Sequence, residues 1–106
     1  MKKTTKNKEV FKELYNRIDK RAKSKNKDSY TKFLLKKGPK KISQKVGEES
    51  NELIIDYLNG TKKRVIEEAS DLIYHLMVLL YSKKISIKNI ETELKKRMKS
   101  NNVRSK

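Results

Sequence analysis

The stretch PKKISQKVGEESNELIIDYLNG, Pro39 to Gly60, decides the fold. Proline suits the first turn of a helix, where its missing N–H would be unpaired anyway. Asn59-Gly60 is a stop signal, with Gly60 expected in the left-handed conformation. Residues 40–58 therefore read as one helix. At 100° per residue from Ile42, the residues Val46, Leu53 and Tyr57 fall at about 40°, 20° and 60° and define an apolar stripe. Glu49 falls at about 340°, inside that stripe, while Glu52 at about 280° and Glu48 at about 240° lie on its shoulder. Lys45 and Lys41, at about 300° and 260°, share that shoulder. A carboxylate facing a core is costly unless it is paired, hydrogen-bonded or bound to metal.

The next helix, over 62–82, repeats the anomaly. Thr61 is its expected N-cap. Val65, Ala69, Leu72, Ile73, Leu76, Leu79 and Leu80 make a wide apolar arc, and Tyr74, Val78 and Tyr81 make the other side largely apolar too. Such a helix is buried nearly all round. One polar strip runs along it, with Glu68, Asp71 and His75 at about 300°, 240° and 280° from Val65. Each of the two helices thus carries a carboxylate pair at i, i+3: Glu49 with Glu52, and Glu68 with Asp71. Packed antiparallel, they converge four carboxylates on one point. Hard oxygen ligands on facing bundle helices suit Mg²⁺, with Mn²⁺ as a substitute. Pairing with lysines is the competing reading. His75 reads first as a hydrogen-bonded core histidine, with a metal ligand or a phosphate contact as the alternatives.

Composition sets the outer limits. The chain has 106 residues and only 34% hydrophobic side chains, so a single domain with a thin core is expected, completed by association. It has no cysteine, which excludes a disulfide frame and thiolate chemistry. No apolar run approaches the length of a membrane span, and the N-terminus lacks the apolar core of a secretory signal, so a cytoplasmic location is expected. The formal net charge is +16. Residues 1–47 hold 17 basic and 4 acidic side chains, whereas residues 48–75 hold 7 acidic and 3 basic. The bias toward Lys, Asn and Ile is what an AT-rich genome produces; an anionic partner is the functional alternative.

The remaining elements complete an all-α reading of four to five helices in an antiparallel bundle. Phe11, Leu14, Tyr15 and Ile18 place a core-facing helix over 8–25. Ser29 caps a short turn through Phe33, Leu34 and Leu35, which ends at Gly38. Ser86 caps a last helix over 87–99, with Ile87, Ile90, Leu94 and Met98 on one face. Residues 10–99 form the domain, flanked by a basic, unstructured segment over 1–9 and a frayed tail over 100–106.

The pattern Glu48-Glu49-x-x-Glu52 followed by Glu68-x-x-Asp71 resembles the signature of the all-α, MazG-like nucleoside triphosphate pyrophosphohydrolases. Ser29-Tyr30-Thr31, Gly38 through Lys45-Val46-Gly47-Glu48-Glu49, Glu68-Ala69-Ser70-Asp71-Leu72-Ile73-Tyr74-His75-Leu76 and Glu93-Leu94-Lys95-Lys96-Arg97 are similar, in order, to one branch. That branch is the phosphoribosyl-ATP pyrophosphohydrolases of histidine biosynthesis. The resemblance spans residues 10–99. It implies cleavage of 1-(5-phosphoribosyl)-ATP to the corresponding AMP and pyrophosphate, with magnesium, in a helical homodimer. In many bacteria that activity is fused behind a cyclohydrolase domain; 106 residues with no cysteine for that domain's zinc site make the stand-alone form the expectation here. It further implies Glu49, Glu52, Glu68 and Asp71 as metal ligands, and Glu48 or Glu49 as the group that handles the attacking water. Lys41, Lys45, Tyr30, Thr31, Lys32 and His75 are then the expected substrate contacts. Two rivals remain: a relative cleaving dUTP or dCTP, and a non-enzymatic basic protein that binds nucleic acid. Ser29-Tyr30-Thr31 and Tyr74-His75 argue against the first, and the absence of a nucleic-acid motif against the second.

Overall fold

In the computed structural model, which describes residues 9–100, five helices follow one another and no strand occurs among the described residues. They are α1 (Val10–Lys23), α2 (Tyr30–Lys37), α3 (Pro39–Asn59), α4 (Lys62–Ser82) and α5 (Ile87–Lys99). The all-α expectation holds, and the short turn after Ser29 is a helix of its own. Residues 1–8 and 101–106, to which most of the expectation of unstructured ends refers, lie outside the described residues.

The helix boundaries follow from local chemistry. The hydroxyl of Ser29 accepts from the Lys32 N–H, that of Thr61 from Arg64 and that of Ser86 from Asn89. Asn89 returns a hydrogen bond to the Ser86 N–H, completing a capping box. Pro39 opens α3 directly after Gly38. Gly38, with φ of 98°, takes the left-handed conformation that an L side chain resists. Gly60 does not take it, contrary to the sequence reading. Its φ is −105° and its N–H donates to the Asp56 carbonyl at 2.7 Å. Its need is for space: a Cβ there would stand 2.9 Å from that same oxygen.

The α3–α4 hairpin is the most extensive helix contact, with α1 laid across α4 and α2 wedged among α1, α3 and α4. The core is small. Ile18, Leu34, Ile42, Met77 and Val78 are its buried apolar residues, and Leu14, Tyr15, Leu35, Ile73, Tyr74, Leu79, Tyr81 and Ile87 pack around them. Burying one such aliphatic side chain contributes roughly 1.5–3 kcal/mol. Several residues expected inside are not. Phe11 at the start of the α1 stripe is 51% exposed and Tyr57 on α3 is 74% exposed. On α5, Leu94 and Met98 are also exposed. Phe11, Tyr57 and Met98 lie near an end of their helices, whereas Leu94 is exposed in the middle of α5. Ile54, Ile55, Leu58 and Ile66 are likewise uncovered, leaving one end of the hairpin apolar and open.

Polar contacts pin α1 to the C-terminal half of α4. Tyr15 donates to the Ile85 carbonyl at 2.6 Å, and Tyr81 donates to Asp19 Oδ1 at 2.7 Å. The two rings meet edge to face. The hydrogen bond to Asp19, with burial, pushes the Tyr81 phenol up to about 12 from its ordinary 10.0. The stability this bond supplies is full below about pH 10 and is lost as pH rises through about 12. Tyr81→Phe should therefore melt below the parent at pH 8, and the gap should narrow as the pH rises through that window. A constant gap in pH-dependent thermal melts would contradict the role given to this bond.

Candidate active site

The acidic strip of α4 faces α3 because the connection Gly60-Thr61 is too short for any arrangement but an antiparallel hairpin. Arg64, on the first turn of α4, lies 3.4 Å from Asp56 on the last turn of α3 and fixes the register. One to two turns further, oxygens of Glu49, Glu68 and Asp71 lie within 4.8 Å of one another. Three of the four expected ligands thus converge. Glu52 is exposed and stands outside this group, although its charge is felt by Glu49.

Glu68, not Glu49, is the deepest of these acids. Glu68 is 4% exposed, whereas the side chain of Glu49 is 13% exposed. The Glu68 carboxylate is half satisfied. Oε2 accepts from Arg64 at 2.6 Å, while Oε1 is buried without a hydrogen-bond partner. A buried, unpartnered carboxylate oxygen beside two further carboxylates is the environment a hard divalent cation completes. The residues present therefore fit a metal ion. Burial pushes the Glu49 carboxyl above the usual range; Glu68, Asp71 and Glu52 push the same way, and His75 opposes them.

Lys45 links the cluster to the surface. Its Nζ lies 3.3 Å from Glu48 Oε1 and 4.0 Å from Glu49 Oε2. Glu48 is exposed and is not among the converged acids; hydrogen bonds from Gln44 and Lys45 hold its carboxyl below the usual range. Lys41 is half-buried one turn earlier on the same face.

His75 is buried, with Nδ1 2.8 Å from the Asp71 carbonyl and Nε2 2.9 Å from the Tyr30 hydroxyl. A carbonyl only accepts, so Nδ1 carries the proton, and in the neutral ring Nε2 accepts from Tyr30. Of its three sequence readings, the hydrogen-bonded core histidine matches these contacts. Thr31 is buried, its hydroxyl 2.5 Å from that of Tyr74. The Tyr30 ring lies near-parallel to those of Phe33 and Tyr74 and near-perpendicular to that of His75. Lys32, expected at the substrate, instead donates from Nζ to the Ser24 carbonyl at 2.5 Å.

Sequence reasoning passed over Arg64, which also meets Glu67 at 2.9 Å. The signal was present: an arginine three and four residues before two glutamates is placed to pair with both.

The family model described as phosphoribosyl-ATP pyrophosphohydrolase matches residues 11–98. The phosphoribosyl-ATP pyrophosphatase of Clostridium novyi is 43% identical over 91 residues, 86% of this chain and 83% of that protein. That of Sulfolobus acidocaldarius is 44% identical over 90 residues, 85% of this chain and 95% of that protein. The histidine biosynthesis bifunctional protein HisIE of Caldanaerobacter subterraneus is 46% identical over 91 residues, 86% of this chain. The match spans 44% of that longer relative. With most of its length matched and the acidic residues of the family pattern gathered between α3 and α4, the chain belongs to the phosphoribosyl-ATP pyrophosphohydrolase family.

Proposed function

We propose that this chain hydrolyses 1-(5-phosphoribosyl)-ATP to 1-(5-phosphoribosyl)-AMP and pyrophosphate in histidine biosynthesis, as a magnesium-dependent cytoplasmic homodimer. The observation that carries the reading is the Glu49, Glu68, Asp71 cluster with its unpartnered Glu68 oxygen, in a chain of this family. That no helix among the described residues is long and apolar enough to cross a membrane is consistent with the location.

In the reaction, a water oxygen bonds to phosphorus at the α–β anhydride, and the bridging P–O bond breaks. Pyrophosphate leaves with the bonding electrons, and the water gives up a proton. Glu49, Glu68 and Asp71 would hold magnesium, with Glu52 reaching in from the rim. Bound there, the ion would polarise the phosphoryl oxygens and offset the charge that develops on them. Glu48, outside the converged acids, or an oxygen of Glu49 not taken up by the ion would orient the attacking water and accept its proton. Lys45 and Lys41 would meet the phosphates as point charges. Tyr30, oriented by its bond to His75, would line the nucleotide end, with Thr31 behind it.

The apolar end of the hairpin, with Ile54, Ile55, Tyr57, Leu58 and Ile66 exposed, is where a second copy would pack.

Three outcomes test this reading. Asp71→Asn should lower pyrophosphate release from phosphoribosyl-ATP by roughly 10²–10³-fold, the scale of losing one preorganised electrostatic group, with the helical circular dichroism retained. Glu52→Gln should cost less, since Glu52 lies outside the converged group. Near-parental activity of Asp71→Asn, or equal turnover of dUTP, would refute the assignment.

Magnesium, binding only the folded state, should stabilise it by roughly 2.7 kcal/mol at 100 times its dissociation constant. Glu49→Gln should leave the metal-free melting temperature unchanged or raised, because an ionised group is no longer desolvated. It should also remove most of the magnesium-induced rise. Strong destabilisation of that variant in EDTA would instead mean a structural ion pair.

Light scattering should give a dimer mass for the parent and a monomer mass for Ile55→Lys combined with Leu58→Lys. A monomeric parent would contradict the homodimer.

A further inference from the structure

Arg64 is the charged residue of the site that the reaction above does not use. Its guanidinium spans both helices, reaching Glu68 at 2.6 Å, Glu67 at 2.9 Å and Asp56 at 3.4 Å. The three contacts differ in kind. The Glu67 side chain is 45% exposed, and such a surface pair contributes little. The Glu68 side chain is 6% exposed, and a charge buried that deeply is costly to leave without a partner. Among the described residues, Arg64 is the only cation within ion-pair distance of Glu68, just as Lys45 is for Glu49. Arg64 occupies one oxygen of Glu68 and leaves the other buried and unpartnered.

We propose that Arg64 is a resident counter-ion of the metal site, a positioning residue that neutralises Glu68 when the metal is absent and keeps Oε1 free for the ion. This rests on the metal reading given above. Two consequences follow, and they act in the same direction. Removing the guanidinium strands a buried charge in the metal-free protein, which a divalent ion then neutralises. It also removes a positive charge standing beside the incoming cation. Arg64 thus sustains the metal-free fold while lowering metal affinity. A mere clip between α3 and α4 would matter equally with and without metal.

The test compares the parent, Arg64→Met and Arg64→Lys in thermal melts, in EDTA and in saturating MgCl₂, together with calorimetric Mg²⁺ titrations. Arg64→Met should melt well below the parent in EDTA and close to it in magnesium, and should bind Mg²⁺ about tenfold more tightly, as expected on removing a like charge near the ion. Arg64→Lys, which keeps the charge, should restore most of the metal-free stability. In a Glu68→Gln background, Arg64→Met should no longer lower the melting temperature in EDTA. Equal losses in both conditions, or weaker Mg²⁺ binding by Arg64→Met, would overturn the proposal. If Arg64→Met folds only when magnesium is present, the proposal stands; if it folds in neither condition, it falls. A parent whose melting temperature does not respond to magnesium overturns the metal reading itself, and the role of Arg64 with it.

Discussion

A charged carboxylate held between two packed helices has to be answered by a cation, and the α3–α4 hairpin is built around that requirement. Its two-residue connection forces antiparallel packing, and the Asp56–Arg64 pair sets the register near the turn. That register brings Glu49 level with Asp71, where their oxygens and those of Glu68 converge. The answers differ with depth. Glu48, outermost, has Gln44 and Lys45. Glu49 has Lys45 at the limit of ion-pair distance. Glu68, innermost, has one oxygen on Arg64 and one on nothing. Glu49 and Glu68 thus have one cation each, Lys45 at the limit of ion-pair distance and Arg64 in direct contact, and the Glu68 oxygen left buried and unpartnered lies where a divalent ion fits.

Much of this was legible in the sequence, because caps and helical periodicity are local. Ser29, Thr61, Ser86 and Pro39 announce helix starts through side-chain oxygens and a missing N–H, which need no tertiary context. The i, i+3 spacing of Glu49 with Glu52 and of Glu68 with Asp71 showed where the acids would gather. What periodicity cannot show is which part of a face another element covers. Phe11 and Tyr57 lie on apolar stripes but near helix ends, where no neighbour reaches them. Glu52 sits about 60° further from the stripe than Glu49, since three residues turn a helix through 300°, and so it falls on the rim. The wheel ranked those two correctly. It could not rank Glu49 against Glu68, because that order depends on how the two helices meet. Gly60 failed for a related reason: a stop-signal glycine is read as left-handed, yet here the constraint is the nearness of the Asp56 carbonyl.

The two signs of charge in this chain work over different distances. The basic side chains of residues 1–47 outnumber the acidic ones 17 to 4, and most stand on the surface. Screening limits their reach to roughly 8 Å at physiological salt, so they act as a positive field close to the surface rather than as partners of particular atoms. Such a field suits the polyphosphate proposed as substrate, but it disfavours a metal cation. The acids between α3 and α4 offset it only by contact, in a partly dehydrated space where each charge counts for more. A basic protein with an acidic site between two helices therefore makes no contradiction: a diffuse positive field suits phosphate, and closely packed acids suit a cation by contact.

The aromatic contacts of α2 add the remaining geometric constraint. Lysines on flexible stems cannot orient a nucleotide, and the carboxylates can fix only the end of it that carries metal. Tyr30 contacts the rings of Phe33, Tyr74 and His75, and its hydroxyl is hydrogen-bonded to Nε2 of that histidine. His75 is tied in turn to the backbone carbonyl of Asp71, one of the converged acids. Two hydrogen bonds thus connect an exposed aromatic ring on α2 to the helical turn of α4 that carries Asp71. Thr31, bonded to Tyr74 on the buried side, keeps α2 from rolling about its axis. The position of Tyr30 relative to the converged acids is therefore set by aromatic contacts and a backbone hydrogen bond. A two-turn helix too short to be stable alone thereby becomes a fixed wall of the site.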